Sequence, residues 1–226
     1  MLLPTPVAST TNPAPTLTLY YAPGACSLAP HILLRMAGLP FTAVSLPVTN
    51  TRIAFPPTYH FINPKLRVPA LTLDTATITE VPALAATIAA LAPAAHLYGH
   101  TALDAARVAE WLAWLATSVH SEGFAHLFRP GRWSAEEGAW EGIRARAREC
   151  VREGFEFVEG RLGEGWAVGE GMTAVEPYLL VFYRWGREGG FEMRERYPTL
   201  TALMERVARL EAVREALEVE GVGSMV

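Results

Sequence analysis

Leu19-Tyr20-Tyr21-Ala22-Pro23-Gly24-Ala25-Cys26-Ser27-Leu28-Ala29-Pro30-His31 is the stretch that decides the fold of this chain. Leu17 to Tyr21 is a short run of strand formers, and Ala22-Pro23-Gly24 ends it. Helical spacing begins at once, with apolar residues at Leu28, Ile32, Leu33 and Met36, and stops at Gly38-Leu39-Pro40. A strand handing over to a helix across so short a loop leaves Cys26 beside the first amides of that helix. Unpaired N–H groups and the helix dipole there favour a thiolate and lower the thiol pKa. The competing reading is a small, buried, apolar residue, the usual environment of a free cysteine.

Moving outward, Phe41 to Leu46 reads as a second strand, and Pro47 to Phe61 as a long polar loop with little period. Asn63-Pro64-Lys65 precedes a strand from Val68 to Leu73 that opens on a proline, which only a first or edge position tolerates. A proline there could also take the cis form, turning the Val68 amide and carbonyl toward a ligand. A further strand spans Ala76 to Thr79, and a helix runs from Glu80 to Leu91. A carboxylate in the first turn is favoured by the dipole alone. Alternatively, Glu80 grips a ligand ammonium while neighbouring free amides take a ligand carboxylate. This order makes a small α/β layer with one crossover and a terminal hairpin.

Beyond Thr101 the strand signals vanish. Leu103, Arg107, Trp111, Trp114, Leu115 and Val119 mark one long helix, and Glu136 to Arg161 a second. Thr173-Ala174-Val175-Glu176 has the form of a capping box opening a third, in which Pro177 removes an early donor. Shorter helices follow at Pro198 to Arg209 and Glu211 to Glu218. The expected organisation is a disordered tail over residues 1–16, an α/β domain over 17–92 and an all-helical domain over 101–226.

The 226 residues carry 19 Lys plus Arg against 23 Asp plus Glu, a net charge of −4 that argues against nucleic acid as a partner. Half of them are hydrophobic, enough for a large core. No apolar run reaches the roughly 18 residues a membrane span needs, and Met1-Leu2-Leu3-Pro4 lacks the basic lead of a secretory signal. Both cysteines read as reduced, which suits a cytoplasmic protein, and Cys150 sits among Arg and Glu in mid-helix. No metal is expected, because no zinc spacing is present and His96 and His100 flank Gly99 in a connector. Gly163 to Gly171 reads as a turn between helices, and no Gly-x-Ser-x-Gly elbow occurs.

Taken together, the Leu19 to His31 stretch, the Asn63-Pro64-Lys65 and Val68-Pro69-Ala70-Leu71 segments, Ile78-Thr79-Glu80, Trp111 to His120 and Thr173 to Tyr178 resemble soluble glutathione transferases. The likeness is to the bacterial beta class and related fungal proteins. It implies a thioredoxin-like N-terminal domain that binds glutathione and a helical C-terminal domain that completes a pocket for an apolar electrophile. It further implies that Cys26 meets the glutathione sulfur and that His120 approaches it. Val68 and Pro69 would form the cis-proline segment that pairs with the cysteinyl part of glutathione. Glu80 would hold the γ-glutamyl ammonium, and Tyr21, Phe124 and Tyr178 would line the electrophile pocket. A homodimer is implied as well.

Two departures stand out. Val81 and Pro82 follow the glutamate where the family has a hydroxyl or glycine, leaving the Val81 amide alone for the γ-glutamyl carboxylate. Pro47 to Phe61 offers no counterpart of a glutathione-binding lysine, and Arg52 is the substitute. The expected activity is addition of the glutathione thiolate to an apolar electrophile. Alternatives are cis–trans isomerisation of a conjugated metabolite by reversible thiol addition, a scaffold that has lost glutathione, and a redox protein passing a mixed disulfide through Cys26. The Pro/Ala-rich tail and the weakened carboxylate site point to a specialised member, in secondary metabolism, rather than a general detoxifier.

Overall fold

A computed structural model describes residues 15–49 and 52–223. The tail expected over residues 1–16 therefore falls almost wholly outside the described residues. Thr16 is tied to the sheet, its N–H donating to Asp74 Oδ1 and its carbonyl accepting from the Asp74 N–H, both at 3.0 Å.

The sheet is ordered β2-β1-β5-β6. Central β1 (Leu17–Tyr21) runs parallel to β2 (Phe41–Ser45), with Leu17 opposite Phe41 and Tyr21 opposite Ser45. It runs antiparallel to β5 (Ala70–Leu73), which forms a hairpin with β6 (Ala76–Thr79). Leu17, Leu19 and Tyr21 point into the core at the period of two that a pleated strand imposes. Helix α1 (Leu28–Met36) makes the crossover between β1 and β2, and α2 (Val81–Leu91) follows β6.

Several boundaries differ from the expectation. Strand β5 starts at Ala70 because Pro69 has no N–H for the ladder. The loop from Pro47 to Phe61 holds a small hairpin, β3 (Val48–Thr49) with β4 (Arg52–Ile53), and a 3-10 turn at Pro57–Phe61. Elements this short show no periodicity, yet the turn buries Tyr59, whose hydroxyl donates to the Arg67 carbonyl at 2.8 Å. Helix α2 begins at Val81, since Glu80 has φ +76°, a left-handed backbone that no helix admits.

In the helical half, α3 (Ala102–Trp114) opens on a capping box of Thr101 and Asp104 that periodicity alone does not disclose. It continues without a break through a π-helical segment, Leu115–Ala125, into α4 (His126–Phe128). Helix α5 (Trp140–Arg161) starts four residues later than expected, after a 3-10 turn at Glu137–Ala139. Then come α6 (Val175–Glu188), α7 (Met193–Arg196), α8 (Pro198–Ala208) and α9 (Glu211–Glu220). The carboxyl of Glu176 is buried and accepts from the N–H groups of Thr173 and Ala167, both at 2.8 Å, and from the Thr173 hydroxyl at 3.0 Å. Pro177 lies in the first turn, where a helix has no use for the missing donor. No helix among the described residues is long and apolar enough to cross a membrane.

One buried cluster runs from β1 to α9, because α1 packs against α6 and α9 as well as α2. Buried polar groups cross that contact. His31 on α1 and Glu220 at the end of α9 are both fully enclosed, with Nδ1 and Oε1 2.9 Å apart. The other Glu220 oxygen accepts from the Gly24 N–H at 2.9 Å, and the Trp185 indole N–H donates to the Gly24 carbonyl at 2.9 Å. Gly24 has φ +68°, which a side chain would resist, and a Cβ there would touch Val222 at 3.4 Å. The residue two positions before Cys26 is thus held on both sides by the helical half. Replacing Glu220 with alanine leaves two donors facing a cavity and should cost about 3 kcal/mol, measured as a lower urea midpoint; an unchanged midpoint would contradict this role.

Candidate active site

The turn after β1, the segment before β5 and the start of α2 face the π-helical segment, α4 and α6 across a cleft of about 910 Å³. Cys26, Val68, Pro69, Glu80 and Val81 line one wall, and His120, Phe124 and Tyr178 the other. Eight of the residues that the sequence singles out are therefore brought together. Two are not. Tyr21 is 5% exposed and sits under the sheet with its ring 5.3 Å from that of His31, so the alternation of β1 turns it into the core. Arg52 is exposed on β4 and does not line the cleft, although its neighbour Ile53 does.

Cys26 lies one residue before the N-cap of α1, and its thiol donates to the Val68 carbonyl at 3.4 Å. The peptide between Val68 and Pro69 is cis. Ser27 closes the turn by accepting from the Ala22 N–H at 3.1 Å and donating to the Ala22 carbonyl at 3.2 Å. The expected lowering of the thiol pKa is not what this environment produces. Burial pushes it up to about 12, against the smaller opposing pull of a backbone N–H, and the Glu80 charge raises it further. The amide effect is present but is outweighed, so the Cys26 sulfur is a thiol at neutral pH.

Glu80 holds its positive φ at the cleft edge and forms an ion pair with Lys65. Helix α2 has no side-chain cap, so the Val81 and Ala83 amides form its open N-terminus. Across the cleft, His120 Nδ1 is 3.0 Å from the Tyr178 hydroxyl, and its ring lies 5.3 Å from Trp185. Burial, helped by the charges of Arg132 and Arg129, brings the His120 pKa down to about 4 despite the opposing charge of Glu80, leaving a neutral imidazole. Burial likewise keeps the Tyr178 hydroxyl protonated well above the usual range. Phe128, Trp133 and Trp185 complete an aromatic wall, on which Phe124 and Phe182 stack with ring centres 5.9 Å apart.

Lys65, Arg67, Arg129 and Arg132 also line the cleft, and sequence reasoning marks none of them as a site residue. Arg129-Pro130-Gly131-Arg132 falls in the gap between helical spacings, where a pair of arginines with no acid between them is the available signal. No group of three or more His, Cys, Asp and Glu side chains among the described residues is arranged to hold a metal. His96 and His100 lie with ring centres 4.0 Å apart, away from this cleft.

Comparison with known proteins gives a consistent picture. Residues 24–91 match the N-terminal domain of glutathione S-transferases, and residues 140–211 match their C-terminal domain. The chain is 34% identical over 208 residues to the glutathione S-transferase GstA of Escherichia coli O157:H7, covering 91% of this chain and 99% of that protein. It superposes on a glutathione transferase homologue from Sulfitobacter, solved with bound glutathione, with TM-score 0.81 and 32% identity over 92% of this chain and 99% of that one. A bacterial beta-class glutathione S-transferase from Sphingomonas chungbukensis gives TM-score 0.77 and 32% identity over 91% of this chain and 100% of that one.

The thiol chemistry is directly measurable. With a raised pKa the stabilising effect of the folded environment on the Cys26 thiol is complete below about 9 and is lost as pH rises through about 12. At pH 7.5 Cys26 should react with iodoacetamide more than about tenfold slower than free cysteine, its rate still climbing at pH 10. A rate already flat at pH 8, followed by peptide mass spectrometry, would mean a thiolate instead.

Proposed function

This chain belongs to the glutathione S-transferase family, and on that premise we propose that its cleft binds glutathione, holds the sulfur as an anion and presents it to an apolar electrophile. The observation that carries the reading is the Cys26 thiol resting on the Val68 carbonyl, opposite His120 and an aromatic wall. In this reading the Val68 backbone pairs with the cysteinyl residue of glutathione. The γ-glutamyl ammonium displaces Lys65 from Glu80, and the γ-glutamyl carboxylate takes the Val81 amide. Arg52, on β4 next to the cleft-lining Ile53, would have to reach inward from the surface to take the glycyl carboxylate.

The chemistry follows from which groups are charged. The glutathione thiol gives its proton to solvent, and the resulting anion is held by the S–H of Cys26 and the field of the cleft arginines. His120 is too weak a base at pH 7 to remove that proton, its pKa lying near 4. With Tyr178 donating to Nδ1, the Nε2–H is left to donate to the sulfur anion. Attack forms a sulfur–carbon bond, and the electrophile either expels its leaving group with the electron pair or, as a conjugated carbonyl, takes a proton at the α-carbon. A neutral, hydrogen-bonded Cys26 is poorly suited to attack a disulfide, which speaks against a redox carrier.

Glu80→Gln should raise the glutathione KM about tenfold, the effect of one hydrogen bond between charged groups. Cys26→Ala should lower kcat/KM about tenfold without abolishing turnover. Glutathione should be consumed one-for-one with the electrophile. Turnover that leaves the glutathione concentration unchanged would instead establish isomerisation by addition, bond rotation and elimination. No calorimetric heat with several millimolar glutathione would leave only a non-catalytic scaffold.

A further inference from the structure

The cleft holds more positive charge than glutathione neutralises. Lys65, Arg67, Arg129 and Arg132 line it, whereas Glu80 is the one acidic residue lining it among the described residues. Lys65 is paired with that acid. Arg67 donates to the carbonyls of Lys65 and Leu66 at 3.4 and 3.1 Å. The guanidiniums of Arg129 and Arg132 have no hydrogen-bond or ion-pair partner among the described residues. Burial and their mutual repulsion with Arg67 hold both below the usual arginine range, Arg132 near 10. With its sulfur ionised glutathione carries two net negative charges, still fewer than the net three positive charges of the five charged residues lining the cleft, and the chain as a whole is acidic, so this local excess of cations is not a general property of the surface.

The two guanidiniums are mounted on a rigid support. They flank Pro130 and Gly131 in a 3-10 turn, closed by the Trp133 N–H donating to the Pro130 carbonyl at 2.9 Å. A Cβ on Gly131 would lie 3.0 Å from the Trp140 ring, so α5 presses directly on the turn. The Trp140 indole donates to the Ser134 carbonyl at 2.9 Å, and the Trp133 ring stacks on His126 at 3.6 Å. The turn so fixed anchors the backbone from which both side chains reach the cleft, and a planar guanidinium fork matches a carboxylate bidentately. They adjoin Phe124, Phe128 and Trp185, the apolar wall that would receive an electrophile.

We propose that Arg67, Arg129 and Arg132 form a subsite for a carboxylate carried by the electrophile, so that the second substrate is an aromatic or conjugated acid. The inference rests on the glutathione reading of the cleft and assigns its substrate class. Arg129 and Arg132 each gain a counter-ion when the acid binds, and the ring or conjugated chain of that acid lies against the aromatic side chains. A neutral hydrophobe satisfies only the second demand.

The test compares 4-chloro-3,5-dinitrobenzoate with its methyl ester as electrophiles, chloride leaving in both. The wild type should favour the acid in kcat/KM, and 0.5 M NaCl should reduce that preference. Arg129→Gln and Arg132→Gln should each lower the acid-to-ester ratio about tenfold. The non-reactive 3,5-dinitrobenzoate, followed by quenching of tryptophan fluorescence, should bind more weakly to both variants by a similar factor. An unchanged ratio, with a rise in the glutathione KM alike with both electrophiles, would overturn the proposal and give the arginines to glutathione alone. Failure of both compounds to turn over, with no calorimetric heat from glutathione and dinitrobenzoate binding still lost in the variants, would overturn the glutathione reading and leave the carboxylate subsite standing.

Discussion

The Gly24 peptide is gripped from both sides by the helical half of the protein, its N–H by Glu220 and its carbonyl by the Trp185 indole. A turn between a strand and a helix is a weak structure by itself, with few buried contacts and backbone groups open to water. In this protein its two open groups are satisfied internally, and the same Glu220 also meets His31 on the helix that follows. The turn, the first helix and the C-terminal helix are therefore tied together through one carboxylate. Cys26, two residues on, is delivered to the Val68 carbonyl, and Trp185 spans the distance between turn and aromatic wall.

Two electrostatic influences then act on the same small volume in opposite senses. Enclosure in apolar surroundings penalises charge, so the Cys26 sulfur and the His120 ring both stay neutral. The arginines on the far side create a positive field that rewards an incoming anion. A sulfur belonging to the protein is thus kept quiet, while in the proposed reading a sulfur brought by a ligand would meet cations and neutral donors. That division suits chemistry performed on the ligand's thiol better than exchange through the protein's own. It also explains why a thiol beside a helix N-terminus is not acidic in this site: the last few ångströms of enclosure cost more than the amides return.

What can be read from the sequence is local. The strand, turn and helix around Cys26, the proline-led segment at Val68, and Glu80 at a helix start all lie within short windows where propensity and capping rules act. Burial and partnership are harder. Glu220 is 196 residues from Gly24, and no pattern near either end announces their hydrogen bond. The neighbours of Tyr21 point to the pocket, yet the period of the strand carries it beneath the sheet. Arg129 and Arg132 stand on a turn too short for any periodicity, and only the packing of Trp140 against Gly131 makes them part of a wall. The direction of the Cys26 pKa escapes the sequence for the same reason, since helix dipoles are visible in a sequence and desolvation is not.

The link between the grip on Gly24 and the cleft is open to direct measurement by calorimetric titration of glutathione into the wild type and Glu220→Ala, at a temperature where circular dichroism shows both folded. The wild type should bind at a single site per chain, and the variant should bind about tenfold more weakly at the same stoichiometry, because the turn carrying Cys26 is no longer held against Val68. Equal affinity in the two proteins would mean that the turn keeps its place without Glu220, and would contradict the dependence of the cleft on that carboxylate.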